Sequence, residues 1–209
     1  MAQRIRTHLA WHLETAARLL RVMPIWVPLI PAAGFLAVYE LDRIPAVSPF
    51  LTKVWAETFS PLVLAAGVVL AGWLVVRRGL TYDKWLLAFA LALFLRELHF
   101  AGTNTGFYIA LVVLIAWASY ARERLEPFIY DRHIVAITMA MFCTYAVTKV
   151  LDRGYVNEFL PAGASRHLFE ENLELLGHVL FVTLVIVSRH VPERATAPAE
   201  VDRIQVPGE

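Results

Sequence analysis

The last apolar run of the chain is preceded by ionisable residues that a membrane-spanning helix would have to include. The run from Leu175 to Val187 is shorter than the roughly 20 residues that cross a bilayer. A spanning helix here must therefore extend back over the glutamates that precede it, although ionisable groups are costly in lipid and usually mark a site. At 100° per residue, four ionisable side chains fall within an arc of about 100° and form a stripe that can face a protein interior. They are Glu170, Glu171, Glu174 and His178.

The composition of the chain favours a membrane protein and limits the classes of partner that it is expected to bind. Of the 209 residues, 58% are hydrophobic, and the mean hydropathy is +0.57, which is too apolar for an ordinary soluble domain. The formal net charge of +1 gives no bulk attraction to nucleic acid, so we expect the lipid bilayer and no nucleic acid as a partner. Cys143 is the single cysteine, which excludes an internal disulfide and a thiolate metal cluster.

Six apolar segments predict an all-α fold, a polytopic bundle of six transmembrane helices. Their positions are 24–39, 59–76, 85–99, 105–120, 134–151 and 170–187. The third and the sixth extend toward spanning length only by including ionisable residues at one end.

The predicted domain organisation has three parts. In residues 1–23, apolar side chains recur at helical spacing among arginines, which predicts an amphipathic helix on the cytoplasmic surface of the membrane. Residues 24–190 form the six-helix transmembrane domain. Residues 191–209 contain Ala, Pro and Glu and are predicted to be a flexible cytoplasmic tail.

The distribution of Lys and Arg predicts the orientation. Short cytoplasmic segments collect these residues, so we expect both termini in the cytoplasm and a bacterial inner membrane as the location. The residues predicted on the cytoplasmic side are Arg4, Arg6, Arg18, Arg21, Arg77, Arg78, Lys84, Arg122, Arg124, Arg132 and Arg189.

This topology brings ionisable residues of several spans to one level at the outer ends of the helices. Gly177, next to the stripe on the sixth span, would allow a neighbouring helix to approach closely. We therefore predict an outward-facing polar pocket there. Its candidate residues are Arg96, Glu97 and His99 on the third span, Tyr145, Lys149 and Asp152 on the fifth, and the stripe on the sixth.

A metal site is the first interpretation of this pocket. Imidazole and carboxylate ligands suit zinc, iron or manganese, and Glu174 and His178 can bind one ion from a single helical face because they are four residues apart. His99 with Glu97 or Glu171 would complete the ligand set. The cofactor would be a divalent metal such as zinc. With Glu171 and Glu174 as catalytic carboxylates, such an ion could activate water to hydrolyse a lipid-borne or extracytoplasmic small molecule.

A structural role is the second interpretation. Arg96, Lys149 and Arg153 could neutralise the glutamates as a buried ion-pair network that fixes helix packing. The chain would then be a structural or assembly subunit that binds a membrane-protein partner or another copy of itself. The residues that would form ion pairs or bind a ligand are Arg96, Lys149, Tyr145, Asp152 and Glu170.

Transport of a cation or proton and binding of haem are less favoured. The inner halves of the spans carry few polar groups, so the sequence shows no path to the cytoplasm. Haem would need His99 and His178 as axial ligands, but no further pattern supports that pair. No family is assigned, because no complete family motif occurs in the sequence.

Overall fold

In the computed structural model, which describes residues 2–98, 100, 102–155, 158, 160 and 165–191, the chain is helical. No strand occurs among these residues. A short 3-10 turn spans Ser48–Phe50. The α-helices are α1 (Ala2–Val22), α2 (Leu29–Asp42), α3 (Lys53–Arg78), α4 (Thr81–Glu97), α5 (Thr103–Tyr120), α6 (Arg122–Ile129), α7 (Arg132–Asp152) and α8 (Arg166–Ser188).

Three of these helices, α3, α7 and α8, are long and apolar enough to cross a membrane. The stretch from Thr105 through α6 could form a fourth span, but it bends by 97° where α5 ends. By contrast, α2 and α4 contain 14 and 17 residues, fewer than the roughly 20 that cross a bilayer. The chain is thus an all-helical protein with three or four candidate spans, and six spans stay a prediction.

Local chemistry fixes where several helices begin and end. The Asp131 carboxylate accepts hydrogen bonds from the backbone N–H groups of His133 and Ile134, at 2.9 and 3.0 Å, and so caps α7. Gly79 ends α3 with a φ of 67°, a left-handed conformation that glycine adopts without strain. Gly102, with a φ of 87°, precedes α5.

Helix α8 lies at the centre of the packing and contacts α7, α3 and α2, whereas α4 packs between α3 and α5. Its buried residues recur every three or four positions along one face, from Phe169 to Ser188. The buried residues of α3 include the small residues Ser60, Gly67 and Ala71. A Cβ atom at Gly67 would lie 3.1 Å from Cε1 of Phe181, so the glycine allows this ring of α8 to pack closely on α3.

Large apolar side chains cover much of the outer surface. Val69 and Val76 of α3 are 70% and 89% exposed, and Val112 of α5 is 67% exposed. Soluble monomers rarely expose such extensive apolar surface. The exposed faces of these helices are therefore suited to contact with lipid.

The helix directions define two ends of the helix bundle. At the "cluster end", α4 and α8 are joined by the ion pair between Arg96 and Glu174. At the "Arg78 end", Arg78 pairs with Asp83 across the turn between α3 and α4. The alternation of helix directions thus places the end of α4 beside the first half of α8. The sequence predicts that the ionisable residues of these two helices lie at one level.

Candidate functional site

Three helices supply the polar side chains of the cluster end. The last turn of α4 carries Arg96 and Glu97, α8 carries Glu174 and His178, and α7 carries Tyr145. These five residues are called the Glu97 cluster below. Arg96 and Glu97 lie in the last turn of α4, where they contact Glu174 and His178 of α8. Contacts join Arg96 to Glu174, Glu97 to His178 and Tyr145 to His178.

Glu97, Glu174 and His178 have the geometry of a possible metal-ligand set. One potential ligand atom from each residue lies within 4.8 Å of the others. Two carboxylates and an imidazole suit zinc, manganese or iron. Four-residue spacing places Glu174 and His178 on one face of α8, and Glu97 approaches from α4.

His178 is fully buried, with 0% of its surface exposed. Its Nδ1 shares a hydrogen bond of 2.7 Å with the Tyr145 hydroxyl, and its Nε2 lies 3.5 Å from Oε1 of Glu97. In the described part of the chain, Nε2 has no hydrogen-bond partner. One ring nitrogen is therefore held in place while the other faces a carboxylate.

Arg96 provides the positive charge of the cluster. Its Nη2 donates to Oε1 of Glu174, and both side chains are largely buried. The guanidinium also lies over the ring of Phe107, with its carbon 5.5 Å from the ring centroid, where a cation is attracted by the ring. Because the Glu174 carboxylate has a second oxygen, it can contact a further cation while it accepts from Arg96.

Gly177 makes the contact between Tyr145 and His178 possible. A Cβ atom at position 177 would lie only 2.7 Å from Cε1 of Tyr145, so no larger residue fits without displacing that ring. The predicted close approach of a neighbouring helix at Gly177 is confirmed. This glycine acts on the cluster through the position of Tyr145.

The other predicted acids of the stripe contact different partners. Glu171 pairs with Lys53 of α3 at 3.5 Å, and Glu170 lies 3.4 Å from His167 on its own helix. Lys53 was not among the predicted bases, because its 118-residue separation from Glu171 gives no local signal. The catalytic role of Glu171 stays a prediction.

The predicted roles of Lys149 and His99 have different outcomes. Lys149 pairs with Asp152, three residues along α7, at 3.2 Å, instead of neutralising the glutamates of α8, and both side chains are more than 40% exposed. His99, the predicted fourth metal ligand, lies outside the described residues, as does the predicted flexible tail from Pro192 onward.

The structure also contains a buried ion pair that the sequence reasoning missed. Arg78 donates through Nε to Oδ2 of Asp83 at 3.1 Å and through Nη2 to the other carboxylate oxygen. Its Nη1 donates to the Ser188 carbonyl at 3.1 Å. In the sequence, Arg78 is part of a basic segment typical of a cytoplasmic loop. An acidic residue in the first turn of the next helix was the available signal for pairing.

Comparisons with known proteins do not assign a function. The chain matches no family model, no curated protein and no solved structure. The feature that indicates a function is therefore the Glu97 cluster, a possible carboxylate and histidine site among apolar helices.

Proposed function

We propose that this protein is an integral membrane protein that binds a divalent transition-metal ion at Glu97, Glu174 and His178. In this proposal Nε2 of His178 and one oxygen of each carboxylate are the protein ligands. Zinc with three protein ligands retains a position for water. Tyr145 would accept a hydrogen bond from Nδ1–H and so fix the tautomer that presents Nε2 to the metal.

The observation that carries the proposal is the environment of His178. Its imidazole is completely buried, one nitrogen is bonded to Tyr145, and the other faces Glu97 without forming a hydrogen bond in the described part of the chain. Buried polar atoms normally have partners. A metal ion would satisfy this nitrogen and would also offset the negative charge of the nearby carboxylates.

Metal analysis of the full chain, purified in detergent and loaded with zinc, manganese or iron(II), tests the proposal. We expect about one ion per chain in the wild type, by the ligand stoichiometry of such sites, and loss of that ion in Glu174→Gln and His178→Asn. Glu171→Gln is the matched control, since it makes the same chemical change on the same helix at a residue that pairs with Lys53. Equal metal content in all four proteins would overturn the proposal.

A metal ion at this position could also support catalysis. A metal ion can polarise its bound water and the carbonyl or phosphoryl group of a substrate. We propose hydrolysis of a lipid-borne or extracytoplasmic small molecule, with Glu174 as a ligand and Glu171 as a candidate acid or base. Hydrolysis of a panel of fluorogenic lipid esters, lost in His178→Asn and retained in Asp152→Asn, would support this step. A rate unchanged in His178→Asn would exclude it.

The alternative function is that of a structural subunit, and the ion pairs of the cluster favour it. Arg96 pairs with Glu174, and a protonated His178 would pair with Glu97 at 3.5 Å. These two pairs would be electrically neutral without a metal and would fix α4 against α8. A chain that retains no metal and loses stability in His178→Asn would support this function, in which a membrane-protein partner or a second copy is expected.

The proposed topology has six spans, both termini in the cytoplasm of a bacterium, and α1 on the inner membrane surface. It is supported by the positive charge beside several helix ends at the Arg78 end. A green fluorescent protein fused to the C-terminus fluoresces only when it folds in the cytoplasm, so bright cells are expected. A dark fusion with an active alkaline phosphatase at the same position would contradict this orientation.

A further inference from the structure

A basic cleft lies at the Arg78 end, on the opposite side of the molecule from the Glu97 cluster. Its volume is about 360 Å³, and it lies between the last turn of α3 and the end of α8. The residues that line it are Trp73, Leu74, Arg77, Arg78, Arg189 and His190.

The buried ion pair explains how this cleft is formed. Arg78 bonds to Asp83 of α4 and to the carbonyl oxygen of Ser188 at the end of α8, so it holds the ends of three helices together. Arg77 directly precedes Arg78 on α3, and Arg189 directly follows Ser188 at the end of α8. The two exposed arginines are therefore presented to one cleft by a rigid support.

The charges of Arg77 and Arg189 are available to an anion. No carboxylate among the residues described lies within ion-pair distance of either guanidinium. Arg77 lies over the ring of Trp73, 5.8 Å from its centroid, and Arg189 donates through Nε to Nε2 of His190 at 2.9 Å. Arg78, in contrast, uses its charge on Asp83.

The surface beside the cleft is apolar. Val69, Trp73 and Val76 of α3 are 70%, 51% and 89% exposed, and α3 is one of the helices able to span a membrane. Tryptophan favours the boundary between hydrocarbon and headgroups. Two cations at this boundary, followed along the helix by apolar side chains, match a molecule with an anionic head and hydrocarbon chains.

We propose that this cleft binds the phosphate headgroup of an anionic phospholipid. Arg77 and Arg189 would contact the phosphate, and the acyl chains would lie along the exposed side of α3. Basic sites between membrane helices recognise headgroups in this way, and arginine can donate two parallel hydrogen bonds to a phosphate. The inference goes beyond the proposed metal function and is independent of it.

Quenching of Trp73 by brominated lipid tests the proposal. The full chain in dodecyl maltoside is mixed with brominated phosphatidylglycerol or brominated phosphatidylcholine, and the signal of Trp73 is obtained by subtracting the same measurement on Trp73→Phe. We expect stronger quenching by phosphatidylglycerol. The double variant Arg77→Gln/Arg189→Gln is made with Trp73 and with Trp73→Phe, so that the same subtraction can be applied. Its apparent affinity for phosphatidylglycerol should fall about 30-fold, equivalent to about 2 kcal/mol.

The matched control is Arg21→Gln/Arg132→Gln, which removes the same charge from two other exposed arginines and should retain the lipid preference. Arg132 is a close match because it also donates to a following histidine. Native mass spectrometry of the same samples should show one phosphatidylglycerol fewer on the Arg77/Arg189 variant only. Equal quenching by both lipids, equal losses in the two double variants, or complete competition by equimolar inorganic phosphate would overturn the proposal.

Discussion

The two ends of the helices each contain buried charges, but they satisfy them differently. At the Arg78 end, one guanidinium meets one carboxylate through two hydrogen bonds and gives a third to the Ser188 carbonyl. At the cluster end, Arg96 lies among two carboxylates and a histidine whose Nε2 has no hydrogen bond in the described chain. At the Arg78 end both carboxylate oxygens accept hydrogen bonds from the guanidinium, whereas the cluster end has ligand atoms that could bind an additional cation.

This difference separates a group that holds helices together from one that can bind a ligand. Removing one partner of a buried ion pair strongly destabilises the protein, because the remaining charge is left in an apolar interior. A cluster whose imidazole Nε2 forms no hydrogen bond with the described residues can gain a ligand without losing its existing bonds. Variants at the Arg78 end should therefore affect stability alone, whereas variants at the cluster end should also affect metal binding.

The largest effect is expected for Arg78→Gln. It leaves the Asp83 carboxylate, which is 0% exposed, without its cation, and such a loss costs about 3–5 kcal/mol. Unfolding in mixed detergent and SDS micelles measures the change. Arg77→Gln, at the exposed neighbouring position, should change stability by less than about 0.5 kcal/mol. An Arg78→Gln protein as stable as the wild type would show that the pair is not a structural element.

Gly177→Ala should destabilise the protein by about 1–3 kcal/mol, the usual cost of overpacking, and also weaken metal binding. The reason is that the new Cβ would lie 2.7 Å from Cε1 of Tyr145, so the tyrosine must move away from His178. Gly72→Ala on α3 is the control, since a Cβ there meets nothing within 4 Å. The two variants are compared by thermal unfolding and zinc titration. Equal effects would mean that Gly177 does not position Tyr145.

Tyr145→Phe should weaken metal binding about 10- to 100-fold, as for other residues that orient a metal-bound histidine. It removes the hydroxyl that bonds to Nδ1 of His178 at 2.7 Å and leaves the proposed ligands in place. Competition with a chelator of known zinc affinity gives the dissociation constant. If the structural-subunit account holds, only stability changes, by about 1 kcal/mol for a lost hydrogen bond.

Lys149→Gln should have the smallest effect. Its pair with Asp152 is 3.2 Å long and exposed on both sides, so we expect a change of less than about 0.5 kcal/mol in stability. Metal content should not change, because this pair is separate from the proposed ligands. A clear loss of metal in this variant would extend the site to the end of α7.

The sequence predicted much of the cluster because its information is local. Helical periodicity placed Glu174 and His178 on one face of α8, and alternating helix directions brought Glu97 to the same level. It could not predict the partner of Glu171, since Lys53 is distant in the sequence and contacts it only through packing of α3 on α8. The 97° bend after α5 was also missed, because the basic residues that follow were interpreted as a loop.

The most direct test of the central claim is X-ray absorption at the zinc edge on zinc-loaded, detergent-purified protein after removal of free metal. The account predicts about one zinc per chain with one imidazole nitrogen and carboxylate oxygens at about 2.0–2.2 Å. The imidazole signal should disappear in His178→Asn and persist in Glu171→Gln. Loss of zinc from the wild type when free metal is removed, or a zinc coordination shell without imidazole, would contradict the assignment of the Glu97 cluster as a metal site.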